Sequence, residues 1–485
     1  MKHIILLITL AAVILTMISC GAGESGGTNA PETGKSDGTQ TEDTAETEPP
    51  AILPDLPEAD YEGYNFRAYV PTPNVWASCT FNIEEVTGDT VNDAIYERNR
   101  TIEEEFNVIL TETDIGPYDK LENIFKQSVS AGTDDFDICV QIDRYAFGLA
   151  TGGYVLSADN LPYIDLTKPW YMHDVMNSMS LGGRIFIIES NENMSLYECT
   201  DVLFFNKKII NDLGLDVPYD LVNNGTWTYD KFFDLSRAAA LDIDGDGTMT
   251  EADRYGIISE DSTFFRNIWE SSGIQSIVKD SEDRFVLNLS GNEKLSNILE
   301  KCHNNLYGEE KIYLSNGDQA KTLQLFENNL ALFHGSMLIR TKEMRAMETD
   351  FGIIPYPKYD ESQSRYYVRS GGGWPKIVPV HAKNPERTSV IIEGLAAESR
   401  NTTVPAFKEV NLRTKITRDN ESAEMLDLIF ESGFGDVGTF LWLDIRDGLV
   451  NVVKGTNNYT SMVESKAPAF EKLLNAANEA AAELE

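Results

Sequence analysis

Hydrophobic and polar positions along the chain follow two different periods after residue 60. The segment YNFRAYV (64–70) alternates apolar and polar residues, which predicts a strand. Val91, Ile95, Ile102 and Phe106 then recur at helical intervals before the apolar run VILTET, so a helix and a second strand are predicted. A helix at DKLENIFKQSVSAG and a strand at FDICVQ come next, and IDRYAFGLATGGYV is predicted to be a loop. Alternating strands and helices favour an α/β fold with a largely parallel sheet.

A second series of strands and helices begins at GRIFIIES (182–190). It continues with a predicted strand at DVLFFN and predicted helices at KKIINDLG and TWTYDKFFDLSRAAA, the last with Thr228 as its N-cap. RYGIISE and LALFHG are predicted strands, and three further helices are predicted toward the C-terminus. Because single cores stop growing at about 250–300 residues, a chain of 485 residues is predicted to form at least two lobes.

The net charge of the chain limits the classes of molecule that can be its partners. With 78 Asp and Glu against 40 Lys and Arg, the formal charge is -38, which repels nucleic-acid phosphates and anionic lipid headgroups. Nucleic acid is therefore excluded as a partner, but the acidity names no ligand.

The N-terminus predicts export and lipidation. Lys2 and His3 precede the apolar stretch IILLITLAAVILTMI, which is too short for a comfortable membrane span. The stretch ends at MISC followed by Gly21, the pattern of a bacterial lipoprotein signal. Residues 1–19 are therefore predicted to be a signal peptide, and Cys20 to carry the lipid that anchors the protein to the extracellular face of the cell membrane. The alternative is an ordinary signal peptide with a chance cysteine. Residues 20–60 are predicted to be the anchor and a disordered linker.

The loop DIDGDGTMTEAD (242–253) has the spacing by which a short loop wraps a calcium ion, with glycine at its sixth place. Structural Ca²⁺ is the predicted cofactor, and no organic cofactor is expected. The alternative is a solvated acidic turn. The predicted ligands are Asp242, Asp244, Asp246, Thr248, Thr250 and Asp253.

Four cysteines besides Cys20 are widely separated and lack C-x-x-C spacing, which argues against a zinc site. Disulfides are permitted by secretion, but the sequence does not choose among the three pairings of Cys79, Cys139, Cys199 and Cys302.

Several segments together resemble the extracellular solute-binding proteins of bacterial ABC importers, the group that includes maltodextrin-binding proteins, and most closely the lipoproteins of Gram-positive bacteria. These segments are GDTVNDAIYERNRTIEEEFNV, KPWY, VLFFNKKIINDLGL, GTWTYDKFFDLSRAAALDIDGDG and DFGIIPYPKYDESQSRYY. The resemblance implies a type II periplasmic-binding-protein fold, with two α/β lobes joined by a hinge of several crossings. Lobe 1 is expected at 61–189 and 371–412 and lobe 2 at 190–370 and 413–485, with Gly371 to Gly373 as a hinge crossing.

Candidate ligand-binding residues follow the predicted strands, because ligands of α/β sheets bind beyond the strand ends. Gln141, Asp143, Arg144 and Tyr145 come after FDICV, and the resemblance implies that the Asp–Arg pair holds sugar hydroxyls. His334 and Ser336 come just past the ALF strand. Trp76 is a candidate for stacking on a sugar ring, and its alternative is half-buried packing. The further stacking candidates, for which core packing is the alternative, are Trp269, Trp374 and Trp442.

The resemblance implies a non-enzymatic, monomeric receptor that delivers a carbohydrate to the transmembrane subunits of an ABC permease. The main alternative is a secreted carbohydrate-active enzyme, because acidic calcium loops also occur in the dockerin modules of such enzymes. Dockerins carry two such loops, each followed by a helix, whereas this chain has one, followed by a predicted strand. A third alternative is an adhesive surface lipoprotein without a ligand cleft.

Overall fold

The computed structural model describes residues 52–74, 76–308, 312–315, 317–408 and 419–484. The predicted signal peptide, the predicted lipidation site Cys20 and most of the predicted linker lie outside the described residues. Within these ranges, no helix is both long and apolar enough to cross a membrane.

The strands and helices of the described residues alternate along the chain, as the two periods predict. The strands are β1 (Tyr64–Val70), β2 (Val108–Asp114), β3 (Ile138–Val140), β4 (Asp201–Asn206), β5 (Tyr255–Ser259), β6 (Ile277–Lys279), β7 (Phe285–Leu287), β8 (Tyr313–Ser315), β9 (Ala331–Met337), β10 (Phe351–Ile354), β11 (Val368–Arg369), β12 (Lys376–Ile377) and β13 (Gly433–Phe434). The helices are α1 (Thr90–Phe106), α2 (Tyr118–Ala131), α3 (Asp143–Thr151), α4 (His173–Ser178), α5 (Met194–Glu198), α6 (Lys207–Leu213), α7 (Pro218–Asn223), α8 (Tyr229–Ala239), α9 (Asp261–Glu270), α10 (Glu293–Leu306), α11 (Gln319–Glu327), α12 (Pro385–Asn401), α13 (Thr403–Ala406), α14 (Asn420–Glu431), α15 (Val437–Phe440), α16 (Leu443–Val453) and α17 (Tyr459–Glu483).

The first sheet has four strands in the order β12-β3-β1-β2. β1 runs parallel to β2 and β3, and Ala68 is paired with Ile138. β12 closes the edge antiparallel to β3. Apolar side chains of α1 and α12 are buried in the same core, where Phe66 and Ile391 have no exposed surface. Residues 53–60, the end of the predicted linker, lie along this core, and Leu56 packs against it.

The second sheet has five strands in the order β10-β4-β9-β5-β8. β5, β8 and β9 are parallel, so their carboxyl ends meet at one edge, whereas β4 runs antiparallel to β9. Thr228 caps α8 as predicted, and the Phe232 side chain is completely buried. Sequence periodicity therefore predicted most of these elements correctly.

Two local predictions are wrong, one about the type of an element and one about where a strand ends. The segment after β3 is a helix, α3, because Ala146, Leu149 and Ala150 form a buried stripe at helical spacing. β9 continues through Met337, so His334 and Ser336 lie inside this strand rather than past its end. All seven residues of β9 are buried between neighbouring strands and helices, which removes the alternation that marks a strand end.

Two of the segments by which the described chain passes between the sheets are adjacent. Ile188 and Lys376 exchange backbone hydrogen bonds of 3.0 Å, which joins the segment before β4 to β12. Glu192 forms a buried ion pair with Lys376 at the same place. Gly371 begins the return at a φ of 145°, and a Cβ there would lie 2.6 Å from the Phe440 ring, so the position requires glycine. The described residues from 53 onward form one compact unit.

Candidate functional site

A cavity of about 490 Å³ lies at the carboxyl ends of strands from both sheets. Its volume falls within the range of about 300–1,000 Å³ that is usual for small-molecule sites. Side chains that follow β1, β2 and β3 line one side, and side chains that follow β5 and β8, together with Met337 at the end of β9, line the other. The position follows from the topology, because the loops after parallel strands gather at one edge of each sheet.

Aromatic side chains provide the apolar surface of the cavity. Trp76, in the loop after β1, has 38% of its surface exposed, although its backbone is fixed by the Asn74 side chain, which accepts from the Trp76 N–H at 2.8 Å. Tyr118 packs edge-on against Trp374 with ring centroids 5.5 Å apart, and both rings line the cavity. Phe440 adds a fourth ring from the other side. Trp374 and Phe440 are at most 2% exposed, so Trp76 and the half-buried Tyr118 are the rings available to the C–H faces of a sugar.

Asp143, the first residue of α3, accepts a hydrogen bond from the segment Gly371 to Gly373, where the chain returns to the first sheet. Its Oδ2 accepts from the Gly372 N–H at 2.5 Å, and its Oδ1 accepts from the Arg144 N–H at 2.8 Å. Burial raises the pKa of Asp143 to about 6, against the opposing effects of the Gly372 N–H and the Arg369 charge. Two of the oxygen lone pairs of this carboxylate are therefore used by the protein itself.

Arg144 lies beside Asp143 on the cavity wall. Its guanidinium carbon lies 5.5 Å from the ring centroid of Tyr118 and 5.2 Å from that of Tyr145, which are cation–π contacts. Within the described part of the chain, its guanidinium forms no ion pair and no hydrogen bond. Ring contacts hold the group in place without neutralising its charge.

The opposite side of the cavity is built from paired charges. Arg266 donates twice to Asp201, at 2.8 Å for each bond, and Arg369 lies 3.6 Å from the same carboxylate and 3.6 Å from Glu270. Burial raises the pKa of Glu270 well above its usual value, which the nearby Arg369 opposes. Asp201 is completely buried, so it neutralises the arginines from behind the cavity wall.

Glu260 follows β5 and caps α9. Its oxygens accept from the backbone N–H groups of Ser262 and Thr263, both at 3.0 Å, and from the two hydroxyl groups of the same residues. Burial alone would raise the pKa of Glu260, but these hydrogen bonds outweigh it and the pKa is lowered. An ionised carboxylate has about four acceptor positions, so Glu260 is saturated.

Of the sequence-predicted ligand-binding residues, four line the cavity together: Trp76, Asp143, Arg144 and Trp374. The other six contact protein groups elsewhere. Gln141 is completely buried and donates to the Tyr118 carbonyl at 3.0 Å, and Tyr145 packs against Tyr118 behind Arg144. Their predicted ligand contacts stay untested predictions.

The remaining predicted residues are in the core around the second sheet. His334 stacks on Phe204 and on Phe326, and one of its ring nitrogens lies 3.0 Å from the Ile258 carbonyl. Burial lowers the pKa of His334 to about 4, so it is neutral at pH 7. Ser336 is buried in β9. Trp269 donates to the buried Asp436 at 3.0 Å. Trp442 packs edge-on against Phe147 and Phe285.

Several cavity residues were missed by sequence reasoning. Glu260 is the last residue of the strand predicted at RYGIISE, and Ser262 and Thr263 come shortly after it, so the strand-end rule applied there would have found them. Arg266 and Arg369 carry no such signal, because their place in the wall depends on Asp201, which is 65 residues from Arg266 in sequence.

The acidic loop 242–253 lies apart from the cavity lining, between α8 and β5. One carboxylate oxygen from each of Asp242, Asp244 and Asp246 lies within 4.8 Å of the others, an arrangement that fits a small hard cation. Asp253 accepts from the Ile243 N–H at 2.8 Å and from the Thr250 N–H at 2.7 Å, which closes the loop. The Thr248 N–H donates to Asp246 at 2.7 Å.

No family model matches the chain, and no curated protein matches it. Solved structures do. A cyclo/maltodextrin-binding protein complexed with maltotetraose has 14% sequence identity and a TM-score of 0.56, covering 86% of this chain and 96% of that one. UgpB from Mycobacterium tuberculosis in complex with glycerophosphocholine has 16% identity and a TM-score of 0.55, covering 86% and 98%. The sugar-binding protein MalE from Xanthomonas citri has 14% identity and a TM-score of 0.56, covering 86% and 98%.

This chain has the type II binding-protein fold. The predicted α/β fold class with two lobes is thereby confirmed, and so is the resemblance of this fold to the solute-binding proteins of ABC importers. The type II fold also accounts for the place of the cavity, between the loops of two sheets joined by adjacent crossings.

Proposed function

We propose that the protein is a non-enzymatic binding protein of an ABC importer, which captures a saccharide between its two lobes and delivers it to the permease. The observation that carries this proposal is the cavity itself, which combines the partly exposed rings of Trp76 and Tyr118 with polar groups from both sheets. A sugar needs both kinds of surface, an apolar face for its C–H groups and hydrogen-bonding groups for its oxygens. The similar solved structures include proteins bound to maltotetraose and glycerophosphocholine, which supports a small polar solute.

Calorimetric titration with a panel of oligosaccharides, followed by product analysis, tests this function. We expect saturable binding of at least one saccharide with no change in the saccharide after prolonged incubation. Release of shorter sugars would instead support the alternative of a carbohydrate-active enzyme. That alternative requires a carboxyl group free to act on the substrate, whereas the two carboxylates lining the described cavity, Asp143 and Glu260, accept hydrogen bonds from the protein.

The site of action proposed for this receptor is the extracellular face of a bacterial cell membrane, with a lipid on Cys20 as the anchor. Mass spectrometry of the protein from its native membrane fraction tests this directly. Acyl groups on Cys20 and a new N-terminus at that residue support anchoring, whereas a Cys20→Ser variant should appear in the medium. Recovery of the wild-type protein in the medium without acyl groups contradicts it.

We also propose that loop 242–253 binds a structural Ca²⁺. The three converging carboxylates of Asp242, Asp244 and Asp246 support this proposal, because a cation offsets their mutual repulsion at an otherwise exposed loop. Calcium at 100 times its dissociation constant stabilises the folded state by about 2.7 kcal/mol.

Thermal unfolding with calcium or with a chelator tests the calcium site. We expect calcium to raise the midpoint of the wild-type protein and to leave that of Asp244→Asn unchanged. Asp360→Asn is the matched control, because Asp360 also closes an exposed turn, accepting from the Ser362 N–H at 2.9 Å. Equal wild-type midpoints in calcium and chelator would argue against the site.

A further inference from the structure

The charge of the cavity wall is opposite to that of the protein. The whole chain carries a formal charge of -38, yet four arginines line the cavity against two carboxylates. These charged residues are Arg144, Arg266, Arg369, Arg446, Asp143 and Glu260. The cavity lining is therefore richer in cationic side chains than the chain as a whole.

Two of these arginines are neutralised inside the protein. Arg266 and Arg369 share the buried Asp201, and Arg369 also lies 3.6 Å from the buried Glu270. Arg446 donates to its neighbour Asp447 at 2.8 and 2.9 Å, but the Asp447 side chain is 54% exposed, so this pair is weak. The Arg144 guanidinium forms no ion pair and no hydrogen bond in the described part of the chain, where it lies over the rings of Tyr118 and Tyr145 and acts on Asp143 only through its charge.

The two carboxylates of the cavity already accept hydrogen bonds from the protein. Glu260 takes four hydrogen bonds from Ser262 and Thr263, its full complement. Asp143 takes two from backbone N–H groups and is only 2% exposed. The hydroxyl groups of a neutral sugar need acceptors as well as donors, and these carboxylates offer few. The five N–H donors of the Arg144 guanidinium, in contrast, have no acceptor in the described structure.

We propose that the saccharide bound by this protein carries an oxyanion, and that the Arg144 guanidinium pairs with it while the sugar ring lies against the aromatic side chains. This inference rests on the proposed function. A planar guanidinium matches a carboxylate, sulfate or phosphate group through two parallel hydrogen bonds. The proposal therefore names an acidic saccharide, the oxyanion being the carboxylate of a uronic acid or a phosphate or sulfate ester.

Matched pairs of saccharides test the proposal by calorimetric titration of the mature protein. The probes are galacturonic-acid and galactose oligomers of equal length, cellobiose 6-phosphate and cellobiose, and sulfated and unsulfated galactose disaccharides. We expect one acidic probe to bind at least about tenfold more tightly than its neutral partner, the usual size of a charge-assisted contact. The acidic probe that binds identifies the source of the oxyanion.

Arg144→Gln and Arg365→Gln form a matched pair of variants. Arg365 also lies over a tyrosine, 4.6 Å from the ring centroid of Tyr367, but it is away from the cavity lining. We expect Arg144→Gln to lose at least about tenfold in affinity for the acidic probe, because a charged partner is removed, and Arg365→Gln to change affinity less than about twofold. Neutral probes should be affected equally little by either substitution.

Salt dependence in the wild-type protein provides a second measurement that needs no variant. Affinity for the acidic probe should fall between 50 and 500 mM NaCl, whereas affinity for a neutral probe should not. Equal binding of neutral and acidic probes, with no salt dependence, overturns the inference and leaves saccharide binding intact. Binding of none of the saccharides overturns the proposed function, and the inference fails with it.

Discussion

The two sides of the cavity differ in how completely their polar groups are satisfied. The first wall, which follows the first sheet, presents Trp76 with 38% of its surface exposed and the guanidinium of Arg144, which has no ion-pair partner among the described residues. The second wall consists of Glu260, Arg266 and Arg369, which are held by hydrogen bonds and ion pairs within the protein. Arginines that line one cavity can therefore have different roles. Side chains of the first wall are free to contact a ligand, whereas those of the second wall are already held by contacts within the protein.

The largest expected effect is a loss of stability when a charged group behind the second wall is substituted. Asp201→Asn leaves Arg266 and Arg369 buried with less neutralising charge, so we expect the free energy of unfolding to fall by about 3–5 kcal/mol. Denaturant unfolding measures this loss. The control is Asp447→Asn, which removes an exposed partner of Arg446 and should cost less than about 1 kcal/mol. Equal small losses in the two variants would erase the distinction between a buried support and a surface pair.

On the first wall, substitution should change affinity rather than stability. Trp76→Ala removes an exposed ring, and we expect ligand binding to weaken by about 1–2 kcal/mol with a nearly unchanged thermal midpoint. Ser262→Ala on the second wall should behave in the opposite way, because its hydroxyl already donates to Glu260. Titration and thermal unfolding of both variants provide the comparison. A loss of stability in Trp76→Ala without a loss of affinity would show that the ring is a packing residue.

The two cavity carboxylates should produce opposite pH dependences, the smallest of these effects. The pKa of Asp143 is raised from 3.8 to about 6, so the folded state holds this proton at a higher pH than the unfolded state. Stability from Asp143 is therefore present at acidic pH and declines as the pH rises from about 4 to about 6. The pKa of Glu260 is lowered below 4.5, so its contribution is present above that pH and is lost as the pH falls.

Unfolding free energies of Asp143→Asn and Glu260→Gln, measured between pH 3 and 7, isolate these contributions. Subtracting each variant from the wild-type protein should give a falling curve with pH for Asp143 and a rising one for Glu260. Two curves whose slopes with pH have the same sign would contradict either the burial assigned to Asp143 or the hydrogen bonding assigned to Glu260.

Sequence reasoning predicted the fold and four of the cavity residues for identifiable reasons. The periods at 64–70 and 91–106 are local, so they predicted β1 and α1 directly, and the residues after β3 follow a strand end that the pattern reveals. Arg266 and Arg369 were not predictable, because Asp201 reaches them only through tertiary packing. His334 was misplaced because a strand buried on both faces, such as β9, has no alternation to mark its end. The buried stripe of α3 was present in DRYAFGLAT but was too short to outweigh the glycines of the longer segment IDRYAFGLATGGYV.

The most direct test of a solute-binding cavity is a titration of the best saccharide into the wild-type protein and into Gly317→Trp. Gly317 lies on the cavity wall, and a Cβ at this position meets no atom within 4 Å, so the large ring can occupy the cavity without displacing the fold. We predict saturable binding to the wild-type protein and affinity at least about tenfold weaker for the variant, with an equal thermal midpoint. Equal affinity of the two proteins would contradict the account, because the saccharide would then bind elsewhere.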